Sequence, residues 1–177
     1  MSSFIIIFFV IAVIIRLSSL AISIRNENKL KQEGGKEYGK LNSSVLAILH
    51  TLFYFSAFFE GWYNKVQWDK FVTFGLIVYL FSIGVLFYVI SQLSNFWTVK
   101  LIIAKKHPRN TSFLFKYVRH PNYYLNIIPE LIGLGLIMKA EFVLIYFFPV
   151  YLVSLAVRII QEERTMDQLT MKSGAQN

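Results

Sequence analysis

Long apolar stretches alternate with polar links along this chain. The first runs from Phe4 to Ile15 and continues past Arg16 to about Ile24; the second covers about Val45 to Trp62, and the third about Phe71 to Phe96. A fourth spans about Asn122 to Met138, and a fifth starts at Phe142 and leaves its apolar region near Arg158. A helix needs roughly 17–25 mainly apolar residues to cross a bilayer. The pattern therefore predicts an all-α polytopic membrane protein of about five transmembrane helices. The third stretch is long enough to tilt or protrude, and Gly75 and Gly84 within it offer close helix approach. No basic segment precedes the first stretch and no small-residue cleavage site follows it, so it reads as an anchor rather than a cleaved signal.

The links differ from one another in charge. The first, RNENKLKQEGGKEYGK, reads as a polar loop punctuated by Gly34 and Gly35. The segment from Trp97 to Val118 is the other basic link, with WTVKLII as a short extended piece and KKHPRN as a turn. Arg25–Lys40 holds five Lys/Arg and Lys100–Arg119 six, whereas Lys65–Lys70 and Lys139–Glu141 together hold three. The positive-inside rule then puts the N-terminus outside and the C-terminus in the cytosol. The net charge of +8 is explained by this topology and by attraction to anionic membrane lipid; nucleic acid is not expected as a partner. A content of 55% hydrophobic and 17% aromatic residues agrees with a single membrane domain over 1–177. It divides into three N-terminal spans (1–96) and a C-terminal half (97–177). The chain has no cysteine, and its three histidines are far apart, so no metal site is expected.

Candidate chemistry concentrates in RHPNYYLNIIPE, Arg119 to Glu130. Pro121 suits the first turn of a helix, with His120 as its cap. Along a regular helix Tyr123, Ile127 and Glu130 share one face, and Glu130 lies roughly 15 Å below His120. An ionisable residue at that depth is a functional candidate. Pro129 frees the carbonyl of Leu125 and kinks the helix. This stretch reads as the wall of a polar pocket open to the cytosol. Elsewhere Arg16 is expected to pair with an acid, His50 to be a satisfied polar group between helices, and Glu60 to sit at the far interface.

A second cluster, RIIQEE at Arg158–Glu163, lies where the last helix leaves the membrane. Arg158 and Glu162 share a face, while Glu163 points about 100° away and reads as a solvated end. A tight connection at Lys139–Glu141 makes the last two spans antiparallel, so the two clusters face each other. Cations, carboxylates and an aromatic suit a small zwitterion bearing hydroxyls and a positive centre. S-adenosylmethionine is one such ligand; other nucleotides and amino acids satisfy the same requirements.

The chain resembles the isoprenylcysteine carboxyl methyltransferase family of integral membrane methyltransferases. The resemblance rests on WTVK at Trp97–Lys100, YVRHPNY at Tyr117–Tyr123, Glu130 and RIIQEE at Arg158–Glu163. RNE at Arg25–Glu27, GGKEYG at Gly34–Gly39 and HT at His50–Thr51 are most similar to bacterial members that O-methylate alkylpyrone polyketides. It covers about Arg16 to Met166, and departs from the family in Leu125 and in the Phe113–Phe115 stretch. The resemblance implies an S-adenosylmethionine-dependent O-methyltransferase of the bacterial cell membrane, its cofactor site formed by the C-terminal helical hairpin. Arg119, His120, Pro121, Tyr123 and Glu130 would bind the cofactor. Arg158 and Glu162 would be catalytic, and the partner would be a lipophilic small-molecule acceptor drawn from the bilayer.

Overall fold

The computed structural model describes residues 3–103, 114 and 117–174, with side chains as far as 167. The expected KKHPRN turn lies outside the described residues. Helix α1, Ser3–Gln32, carries apolar side chains on all sides of its first half, burying Ile5, Phe8, Phe9 and Ala12 and exposing Ile7, Ile11 and Ile14. Such an all-round apolar helix suits lipid on its outer face. It takes in the first eight residues of the expected loop, which starts at Arg25. Arg25 to Gln32 is helical because Ser23, Asn26, Glu27 and Leu30 form a buried stripe at helical spacing. Helix α2 spans Lys40–Tyr63 and α3 spans Lys70–Leu93, the latter capped by Asp69, whose carboxylate accepts from the amides of Phe71 and Val72. Lys139 lies 2.6 Å from Asp69 and, with those amides, holds its carboxyl below the usual range.

The remaining helical hairpin is built in an unusual way. A wide π-type turn at Asn122–Ile127 leads into α4, Ile128–Ile137, and a second at Val143–Phe147 leads into α5, Phe148–Gly174. Both wide turns abut a proline, Pro129 and Pro149. A proline has no N–H for the carbonyl four residues back, and its ring crowds that carbonyl. The preceding amides reach one residue further instead: Ile128 N–H to Tyr123 O, and Phe148 N–H to Val143 O. The kink expected at Pro129 thus takes the form of a widened turn.

By length and composition α1, α2, α3 with its last turn to Phe96, and the helix Val143–Asp167 are apolar enough to cross a membrane. The segment from Asn122 to Ile137 is shorter, roughly 24 Å at about 1.5 Å per residue. It fills the bundle interior, where Leu131, Leu134 and Ile137 are fully buried. Its contact with α3 is made by glycines. A Cβ on Gly133 would stand 2.7 Å from Tyr79 N, and one on Gly75 2.7 Å from Leu136 Cβ. Gly84, expected to do the same, faces open space; the close approach is at Gly75 and Gly133, where the two backbones meet. At the opposite end from this contact's continuation toward Met138, two short strands pair antiparallel. Strand β1, Lys36–Tyr38, lies against β2, Leu101–Ile103, so the expected extended piece joins the first link to the third.

Candidate functional site

The basic end of the bundle gathers the C-termini of α1, α3 and α5, the start of the Asn122 turn, and the strand pair. Among them lies a cavity of about 530 Å³. Its walls include Trp97, Thr98 and Lys100 from the segment after α3, Arg119 to Tyr123 before α4, and Arg158, Glu162 and Glu163 from α5. Ligand pockets of about 300–1,000 Å³ hold small molecules of cofactor size.

The open end of the helical hairpin brings the two sequence clusters into contact. Tyr123 donates its hydroxyl to Glu162 Oε2 at 2.8 Å, and Arg158 Nε donates to the same hydroxyl at 3.3 Å. His120 lies 3.6 Å from Glu162 through Nδ1 and 3.4 Å from Glu163 through Nε2. The ring stacks on Tyr123 at 5.6 Å. His120 therefore does not cap with its side chain; its carbonyl accepts from the amides of Tyr123 and Tyr124, leaving the imidazole free for the carboxylates. Glu162, then Glu163, raise the His120 pKa above its ordinary value, against the opposing effect of burial. Arg119 is an exposed rim cation 3.9 Å from Glu163. Glu163 was expected to point into solvent. It is exposed as expected, and it also lines the cavity beside His120 and Arg119.

Arg158 is almost wholly buried, 2% exposed. Besides Tyr123 it donates to Ser43 Oγ at 2.8 Å through Nη1 and to the Val99 carbonyl at 3.1 Å through Nη2. The wall carrying Val99 is tied to α1. Asn26 donates to the carbonyls of Ser94 and Trp97, both at 2.8 Å, Ser23 Oγ accepts from Val99 N–H at 2.8 Å, and Glu27 accepts from Lys100 at 2.7 Å. Sequence reasoning missed these partners. The signal was the polar stripe Ser23, Asn26, Glu27, spaced three and one apart, which marks a polar helix face rather than a loop. The indole N–H of Trp97, a cavity wall, is buried without a hydrogen-bond partner among the described residues.

Glu130 lies apart from this cavity. It is fully buried and paired with Arg16, which donates to it, as does Tyr54. His50 Nε2 is 3.7 Å away, its Nδ1 is 3.2 Å from Tyr151 OH, and Asn126, with its amide nitrogen toward the carboxylate, donates to Glu130 Oε2 at 3.3 Å. The widened turn explains the separation. One extra residue in that turn swings everything after it by roughly 100°, so Tyr123 and Glu130 no longer share a face. Arg16 does pair with an acid, as expected, and that acid is Glu130. Glu60 also has a definite partner: it accepts from the amides of Phe142 at 2.8 Å and Val143 at 3.1 Å, capping the last helix from α2.

Comparison with known proteins adds the following. Residues 75–168 match the model of the isoprenylcysteine carboxyl methyltransferase (ICMT) family. An uncharacterized protein of Haemophilus influenzae is 50% identical over 90% of this chain and 92% of its own length. Uncharacterized protein YpbQ of Bacillus subtilis is 24% identical over 92% of this chain and 96% of its own. No solved structure matches.

Proposed function

Given that the chain belongs to the isoprenylcysteine carboxyl methyltransferase family of membrane methyltransferases, we propose that it moves a methyl group from S-adenosylmethionine to an oxygen of a lipophilic acceptor. An alkylpyrone-like polyketide enol or an isoprenylcysteine-like carboxylate fits that description. The observation that carries this reading is the Tyr123 hydroxyl, which joins Glu162 and Arg158 on the wall of one cavity.

The donor set fits the cofactor. S-adenosylmethionine bears a carboxylate, an ammonium, ribose hydroxyls and an adenine, and supplies an electrophilic methyl on a sulfonium. Arg119, Lys100 and His120 are cationic or protonatable groups on the cavity wall for its carboxylate, and Glu163 and Glu162 are acceptors for its ammonium and hydroxyls. Trp97 offers an indole N–H with no other partner among the described residues and, with Tyr123, an aromatic surface. Pro121 starts the turn that aims His120 and Tyr123 into the cavity.

Arg158 is the group for the acceptor oxyanion. Its guanidinium carries five N–H donors, of which Tyr123, Ser43 and Val99 engage three among the described residues, leaving two for a ligand. An acidic enol or a carboxylic acid is ionised near neutral pH without a strong base, so the work of these residues is orientation. The charge asymmetry of the links supports a cavity open to the cytosol, with the acceptor reaching it from the bilayer.

Purified protein in nanodiscs, given methyl-labelled S-adenosylmethionine and a bacterial lipid extract, should place label in the extractable lipid. Absence of transfer together with absence of cofactor binding would overturn the reading.

A further inference from the structure

We propose that Ser43 and Ser23 are positioning residues for Arg158, setting the plane of its guanidinium from the N-terminal half of the chain. This rests on the methyl-transfer reading above, in which Arg158 faces the acceptor oxygen.

The clamp has two arms. In the first, Ser43, itself 5% exposed, accepts from Arg158 Nη1 at 2.8 Å and donates to the Gly39 carbonyl at 3.1 Å. Its single proton is committed to Gly39, so a lone pair is turned toward the guanidinium. Gly39 makes the approach feasible. Its φ is +60°, and a Cβ there would lie 2.6 Å from Gln161 Oε1 and 3.7 Å from Arg158 Nη1. The left-handed backbone favours glycine here, and any larger residue would also have to displace the end of the Gln161 side chain.

In the second arm, Val99 is held from both sides. Its N–H donates to Ser23 Oγ at 2.8 Å, and its carbonyl accepts from Arg158 Nη2 at 3.1 Å. Ser23 is 2% exposed, and Asn26 beside it anchors Ser94 and Trp97, so the carbonyl has little freedom to turn. With Tyr123 on Nε, each nitrogen of Arg158 has a partner on a different element. A planar fork held at three corners cannot rotate about its long stem. The two N–H bonds left over therefore have fixed directions, as in-line displacement at a positioned oxygen requires.

The test uses the full-length protein in nanodiscs. Three readouts apply to wild type, Ser43→Ala, Ser43→Thr and Ser23→Ala: S-adenosylhomocysteine binding by calorimetry, kcat for label transfer into lipid extract, and nitrogen-15 NMR of the Arg158 side chain, assigned with Arg158→Lys. Wild type should show slow rotation about the Arg158 Nε–Cζ bond. Ser43→Ala should speed that rotation and lower kcat by roughly 10- to 100-fold, with S-adenosylhomocysteine affinity little changed. Ser43→Thr should restore both, and Ser23→Ala should move both in the same direction by less, acting through Val99. Wild-type rotation and kcat in Ser43→Ala would overturn the proposal, as would a loss shared equally by Ser43→Thr. If wild type transfers no methyl, the proposed function fails, and the NMR readout still decides the clamp.

Discussion

Glu130→Ala is the most demanding perturbation of this bundle. Glu130 is 0% exposed and is the counter-ion of Arg16, whose side chain is 19% exposed. Removing the carboxylate leaves a guanidinium in the bundle without its partner and takes the acceptor from Tyr54 as well. Breaking a buried ion pair from one side costs about 3–5 kcal/mol. At roughly 2–4 °C per kcal/mol for a chain of this size, the unfolding midpoint should fall by about 6–20 °C. The pair can instead be removed as a unit: in Arg16→Met with Glu130→Leu, no charge is left behind, and such replacements are often neutral or better. The double variant should regain most of the lost stability. Thermal unfolding in nanodiscs, with S-adenosylhomocysteine binding measured below each midpoint, tests the reasoning. Affinity should stay near wild type in both variants, because Glu130 does not line the cavity. A Glu130→Ala protein with an unchanged midpoint but no binding would show that Glu130 grips the ligand and not the frame.

The other expectations are smaller in scope. His120 should titrate above its ordinary 6.5, and Glu162→Gln should bring its midpoint down, read from the imidazole C–H resonance. Since its folded pKa is raised, the stability it contributes is complete below 6.5 and declines as pH rises through the folded value. Glu162→Gln should weaken S-adenosylhomocysteine binding more than Glu163→Gln, since Tyr123 donates to Glu162 and not to Glu163, which is half-exposed; equal effects would contradict that ranking. Glu60→Ala should lower stability by about 1 kcal/mol through loss of a helix cap, measured by denaturation. Gly133→Ala should cost about 1–3 kcal/mol by overpacking against Tyr79, while Gly84→Ala should stay within about 0.5 kcal/mol.

The parts of this architecture written in local pattern were legible beforehand. Apolar runs gave the helices, and the tight link at Lys139 placed the RHP and paired-glutamate clusters opposite each other, where Tyr123 meets Glu162. What depends on tertiary partners was not. Arg16 called for an acid, but nothing near it in sequence names Glu130, which lies 114 residues away. The face of Glu130 was misjudged because regular helical spacing was carried through Pro129, where the chain admits an extra residue in the turn before it. Ser43 and Ser23 look like ordinary small polar residues until Arg158 and Val99 arrive beside them. Gly75 and Gly84 are alike in sequence, and only the path of α4 separates them.

The distance between Arg16 and Glu130 along the chain bears on how the protein is made. A ribosome adding about 5–20 residues per second releases Glu130 roughly 6–23 seconds after Arg16. During that interval the cation of the first helix has no counter-ion, and seating it at bilayer depth is costly. The nascent first helix should therefore stay near the headgroups, or beside the insertion machinery, until the fourth is delivered. Final seating of the first helix then waits for the fourth and does not precede it.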